Sequence, residues 1–189
     1  MSTLSFGDNE NSSPSHLSGT FVNLVTIVHA ESISGKDVYN NGNPVDCGVR
    51  LTIDIGREWQ PKMMIHGNFK KEGDKIGWGS AFAVKDLLTK LKLKGQLNPD
   101  GSIPQDLLDA MVGRKFVRLS YIRGVDQTTG KKRYTDYRHV EVPKNEDDAA
   151  EVAKLGQVLT NKFVKDVTNG WVKNFQPDAG SEDTSFPTA

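Results

Sequence analysis

Between Arg114 and His139 the chain reads RKFVRLSYIRGVDQTTGKKRYTDYRH. Its bases are Arg114, Lys115, Arg118, Arg123, Lys131, Lys132, Arg133 and Arg138. Its only acids are Asp126 and Asp136, so the segment carries a net charge of +6. Phe116, Tyr121, Tyr134 and Tyr137 lie among those charges. Phosphate attracts Lys and Arg, and unpaired bases stack on aromatic faces, so the mixture suits a single strand of nucleic acid. A second cluster has the same character: Arg57, Trp59, Lys62, Phe69, Lys70, Lys71, Lys75 and Trp78.

Roles divide by residue type. The Lys and Arg side chains would track phosphates, and Trp59, Trp78, Phe116 and Tyr137 are the candidate stackers. Tyr134 and Tyr137 fall on opposite faces of a strand, so at most one easily faces a ligand. Tyr121 shares a face with Val117 and Leu119 and belongs with the core. The plainer reading of Lys131-Lys132-Arg133 is a solvated turn tip, as in most proteins.

Other chemistries lack their residues. No P-loop and no dinucleotide-binding glycine pattern opens a helix. No nucleophile elbow occurs. His16, His29, His66 and His139 have no partner at metal-ligand spacing, and Cys47 is the one cysteine. Asp46, Asp54, His66 and His139 could converge only through the fold. The expectation is a protein without catalytic residues, metal or cofactor.

The 189 residues fit one domain and sum to zero net charge. The charge is segregated, however. From Glu141 onward there are nine acids against five bases, a net of −4. A basic body with an acidic end can be neutral and still bind a polyanion. A lone cysteine forms no internal disulfide and agrees with a reducing compartment. No apolar run is long enough to span a membrane, and the first residues do not resemble a signal peptide. The expected location is the cytoplasm, a host's if the protein is viral.

The pattern divides the chain into a disordered segment 1–18, a domain 19–175 and a mobile acidic tail 176–189. Phe21 to Ala30 is β-branched and apolar, a strand. Ser34 to Pro44 is a loop by composition. Val45 to Ile55 alternates and reads as a half-buried strand, with Lys62 to Lys70 its hairpin partner. Lys71 to Gly79 reads as a glycine-rich turn carrying Trp78. Val84, Leu87, Leu88 and Leu91 have helical spacing, in a helix that Gly95 ends. Pro104 opens a second short helix holding Leu107, Leu108 and Met111. Lys115 to Arg123 and Tyr134 to Val142 are two more strands around a turn with Gly130. Residues 145–168 form a long helix with Val152, Leu155, Leu159 and Phe163 as its stripe. Asn169-Gly170 stops it, and Trp171 and Phe175 are expected to pack back. The sum is mainly β with helices (α+β): an OB-type five-stranded barrel with a helical insertion between strands 3 and 4 and a long C-terminal helix.

In the strand Val45–Ile55, in GWGSAFAVKDLLTKL, and in DLLDAMVGRKFVRLSYIRG followed by GKKRYTDYRHVEV, the chain resembles the single-stranded DNA-binding proteins of tailed bacteriophages. There a helix leads through a Gly-basic entry into a strand, then a basic hairpin, then a strand with a Tyr. The likeness covers about residues 20–143. It implies sequence-independent binding of single-stranded DNA in viral replication or recombination. It also implies that the acidic end with Phe186 competes with DNA or recruits replication or recombination proteins. RNA stays open as a ligand, since nothing in the sequence reports on a 2′-hydroxyl. Two other classes remain at this stage. One is a structural or interaction protein, such as a viral assembly factor, using the long helix, which could also make a homodimer. The other is an enzyme processing nucleic acid through Asp54 or His66.

Overall fold

The computed structural model describes residues 17–33, 46–72, 75–78, 83–96, 98 and 102–177. Of residues 46, 47, 66–72 and 75–78 it describes the backbone alone. Residues 1–16 of the expected disordered segment 1–18, the loop Ser34–Pro44, residues 178–189 of the expected tail 176–189, and Ser80 lie outside the described residues.

Among the described residues six strands and three helices follow one another: β1 (Thr20–Ile33), β2 (Asp46–Asp54), β3 (Lys62–Glu72), β4 (Lys75–Trp78), α1 (Ala83–Lys90), α2 (Gln105–Met111), β5 (Lys115–Val125), β6 (Lys132–Glu141) and α3 (Ala149–Thr168). The antiparallel sheet has the order β4-β3-β2-β1-β5-β6. β1 serves two neighbours in turn. Its first half, Thr20 to Thr26, pairs with β5, and its second half, Thr26 to Ile33, pairs with β2. The change of partner coincides with an irregularity between Ile27 and His29, and such a bulge bends the strand and sharpens its twist. There Gly113 N–H donates to Ile27 O at 2.8 Å and Ile27 N–H donates to Arg114 O at 2.9 Å.

That bend curls the sheet until β3 and β6 approach each other, with α1 packed against both. The result is a nearly closed barrel of five antiparallel strands with the α1–α2 insertion and a C-terminal helix, an OB-type α+β fold. Lys90 Nζ fastens α1 to β6, donating to Val140 O at 2.6 Å and to Glu141 Oε1 at 3.0 Å.

The barrel is filled by Val25, Ile27, Leu51, Ile53, Met63, Ile65 and Phe116, closed from below by Val84, Leu87, Leu88 and Leu91 and by Leu107 and Met111. A second cluster lies on the outer face of the sheet. Val117, Leu119 and Tyr137 meet Leu159 and Phe163 of α3 there. Thus β5 is buried on both faces from Phe116 to Ser120. α3 spends its apolar stripe on the barrel. At its start the Asp148 side chain accepts from Ala150 N–H and Glu151 N–H, and Glu151 reaches back to Lys144 N–H and Asn145 N–H. The Asp148 cap sets the start of the helix at Ala149, where 145 was expected.

Two local expectations change. Lys75–Trp78 is a strand paired with Phe69–Glu72, where the sequence suggested a turn. The Gly73-Asp74 pair, a two-residue hairpin signal, was outweighed by the glycine content around it. Gly95 does not terminate α1, which ends at Lys90 with Lys92 at φ 56° soon after. A Cβ on Gly95 would lie 2.5 Å from Leu107 Cδ1, so this glycine permits a close approach to α2.

Gly156 plays the same part for α3. A Cβ there would meet Val22 Cγ1 at 2.8 Å, and a β-branched side chain on a strand has little room to turn. Gly156→Ala gains about 1 kcal/mol of helix propensity and loses about 1–3 kcal/mol to overpacking. Net destabilisation of about 1 kcal/mol is expected in urea unfolding; a stabilised variant would show that α3 can slide on β1.

Candidate nucleic-acid interface

The proposed contact residues do not form one patch. They separate into a hairpin tip, a barrel end, a lateral groove and a buried set.

The tip joins β5 to β6 and is organised by Asp126. Its Oδ1 accepts from Thr128 N–H and Thr129 N–H, both at 3.0 Å, and its Oδ2 accepts from Arg133 Nη2 at 2.6 Å. Arg133 and these amides hold its carboxyl far below the usual carboxylate range. The backbone closes through Gly130 N–H to Asp126 O at 2.8 Å and Asp126 N–H to Lys131 O at 2.8 Å, with Gly130 at φ 68°. The tip is therefore a built turn. Arg123, Lys131 and Arg133 are exposed on it and Lys132 is half-buried. At its base Tyr134 lies edge-on to Phe21, ring centroids 5.4 Å apart, both half-buried.

Arg57, Trp59 and Lys62 are exposed around the β2–β3 turn, with Trp59 at 59%. Asp54 shapes that turn by accepting from Gly56 N–H at 2.7 Å. The start of β5 lies at the same barrel end, since Asp54 and Lys115 both pair with Thr26. Arg114 is exposed there, and Lys115 bonds Glu146 at 2.9 Å, which raises its pKa. The 11 residues of β5 keep this end about 30 Å of strand from the tip. Lys70 and Lys71 fall in β3 and Trp78 in β4, but their side chains lie outside those described, as does that of His66.

Three expected contacts are corrected. Phe116 is fully buried in the barrel opposite Val25 and offers no face for stacking. Arg118 is only 5% exposed, with Asp136 at 3.4 Å; burial lowers its pKa and raises that of Asp136. Its charge belongs to the interior and does not track phosphate. Tyr137 is also buried, edge-on to Phe163 at 5.3 Å, and donates its hydroxyl to Asp166 Oδ2 at 2.6 Å. The reason is common to all three: alternation along β5 and β6 marks one face as solvent only if nothing covers it, and α3 covers the second face. Tyr137→Phe leaves a buried carboxylate short of its donor, and a loss of about 1–3 kcal/mol is expected in denaturant unfolding. A change below about 0.5 kcal/mol would mean Arg138 suffices for Asp166.

The remaining predicted contact, Arg138, stands apart from the tip. It is exposed and lies 3.8 Å from Asp166. With His139 it lines a groove of 550 Å³ between α1, β6 and the end of α3. Lys85, Lys162 and Trp171 complete the groove, and the sequence alone marks none of these three as a contact. Burial, then Lys162 and Arg138, lower the pKa of His139. Trp171 was expected to pack back, yet it is 65% exposed; Phe175 does pack, 5.1 Å from Phe163. Among the described residues no group of His, Cys, Asp and Glu could hold a metal ion, and no helix is long and apolar enough to cross a membrane. Comparison with family models, with curated proteins and with solved structures finds no match for this chain, so the reading of these surfaces rests on their own geometry.

Proposed function

We propose that the protein binds single-stranded DNA without reading its sequence, as a non-enzymatic factor in replication or recombination. The observation that carries this reading is the Asp126-braced tip with Arg123, Lys131, Lys132 and Arg133. It connects the last two strands of the five-stranded barrel, and in OB-type folds that loop is one of those that grip oligonucleotides. A rigid tip holds its cations apart without side chains having to collapse around the ligand, so binding costs little ordering entropy. Phosphates would lie along the tip, and bases would meet the Tyr134–Phe21 pair or Trp59. The proposed viral setting rests on the resemblance alone. The role proposed for the acidic tail, competing with DNA or recruiting partners, concerns residues outside those described.

The reading that α3 is a free interaction surface gains nothing from the fold, because Leu159 and Phe163 are consumed by the barrel. The test is fluorescence anisotropy of labelled oligo(dT), in lengths spanning the about 4–16 nucleotides that such a fold occupies, over a series of salt concentrations. Saturable binding that weakens linearly in log salt is expected, with dA and mixed oligomers close behind. Absence of binding at low salt would remove the reading. Parallel titration with oligo(rU) decides between DNA and RNA.

A further inference from the structure

Trp171 is held in place by the backbone while its ring is left exposed. Asn169 caps α3 and Gly170 follows at φ 73°. Gly170 N–H donates to Val167 O at 3.0 Å, and Trp171 N–H donates to Asp166 O at 2.8 Å. These are the two bonds of the Schellman motif. The residue in Trp171's place there commonly packs on the side chain that Asp166 occupies here. That position is a carboxylate committed to Tyr137, not an apolar group, so the indole has no apolar seat there. Trp171, which with Trp59 is one of two exposed tryptophans among the described residues, is thereby set at the rim of the groove.

The groove walls supply charge. Lys85 and Arg138 are exposed and Lys162 is half-buried. Of the two acids present, Asp86 pairs with Lys90 at 2.9 Å, and Asp166 takes the Tyr137 hydroxyl at 2.6 Å and lies farther, 3.8 Å, from Arg138. Burial, with Lys162 and Arg138, holds the His139 pKa below its ordinary value, and its Nε2 accepts from Arg138 Nε at 3.3 Å. At 550 Å³ the space falls within the range of about 300–1,000 Å³ usual for small-ligand sites.

We infer that this groove is a nucleotide subsite, in which a base stacks on Trp171 and its flanking phosphates lie on Arg138, Lys162 and Lys85. The inference rests on the single-strand reading above and extends it, because the groove lies on another part of the barrel from the tip. Arg138 and Lys132 are six residues apart on β6, about 20 Å. A bound strand would run from the tip along β6 to the groove, and the protein would hold more nucleotides than its hairpin can touch.

The test uses a Trp59→Phe/Trp78→Phe background, in which Trp171 is the only indole, titrated with oligo(dT) while anisotropy of the labelled oligomer follows binding independently. Quenching that saturates with the anisotropy signal and reverses with salt is expected. Trp171→Ala should weaken binding about 5- to 100-fold, the range for loss of a stacking aromatic. Arg138→Ala/Lys162→Ala should abolish the quench while the hairpin still binds. Binding by anisotropy with unchanged Trp171 emission overturns the subsite and leaves the single-strand reading standing; no binding by either signal overturns both. If the double-Phe background does not fold, the same decision comes from subtracting the quench of Trp171→Phe, a change at an exposed position, from that of the unaltered protein.

Discussion

Alanine at Phe163 should cost about 3–5 kcal/mol of folding stability. The ring is fully buried and stands at the centre of an aromatic group, 4.8 Å from Tyr121, 5.3 Å from Tyr137 and 5.1 Å from Phe175. Removing it opens a cavity that the surrounding rings cannot close, since each is held from another side. Tyr137 is fixed through Asp166, and the Phe175 segment through Gln176 N–H donating to Ile122 O at 2.9 Å. A domain stable by about 5–15 kcal/mol would lose roughly a fifth or more of its margin. Urea unfolding measures this, with Val158→Ala as the control, because Val158 is 44% exposed on the same helix. A loss below about 1 kcal/mol at Phe163 would show α3 to be an appendage and return it to the surfaces free for a partner.

The same aromatic group shows how far the sequence could be read. The order of strands and helices, β4 apart, was legible because β-branched runs, alternation and the Val84–Leu91 spacing are local signals. The stripe on α3 was legible too, though its destination was not. Helical periodicity says that one face is apolar; it does not say whether that face meets a second copy or the chain's own barrel. This ambiguity propagated into the site. Phe116, Arg118 and Tyr137 look like ligand-facing residues if β5 and β6 have one wet face, and all three are interior because α3 and the barrel core bury both. Trp171 misleads in the opposite direction. An aromatic after Asn-Gly suggests packing back on the helix, but the partner position holds Asp166, and that pair was visible in the sequence. Lys85 and Lys162 carried no signal at all, being ordinary solvated lysines until the fold sets them beside Arg138.

The hairpin tip is where sequence and geometry agree, and its charges can be separated from its shape. Lys131→Ala/Lys132→Ala removes two cations from a turn whose hydrogen bonds come from Asp126, Thr129 and the backbone. Affinity for oligo(dT) should fall by the same factor for every sequence tested. The slope of log affinity against log salt should shrink by about 1.4, at about 0.7 for each phosphate of a single strand that is no longer neutralised. Arg133→Ala should behave differently, since Arg133 both faces solvent and braces Asp126 at 2.6 Å. Its loss loosens the turn, so affinity drops by more than its share of the salt slope accounts for. Asp126→Asn separates these effects: it retains a side-chain oxygen for the Thr amides, removes the ion pair with Arg133 and adds net positive charge to the tip. If charge alone governs binding, Asp126→Asn strengthens it; if the braced geometry governs, binding weakens despite the extra charge. An unchanged salt slope in the double lysine variant would move the binding surface away from the tip altogether, to the barrel end around Trp59 or to the groove beneath Trp171.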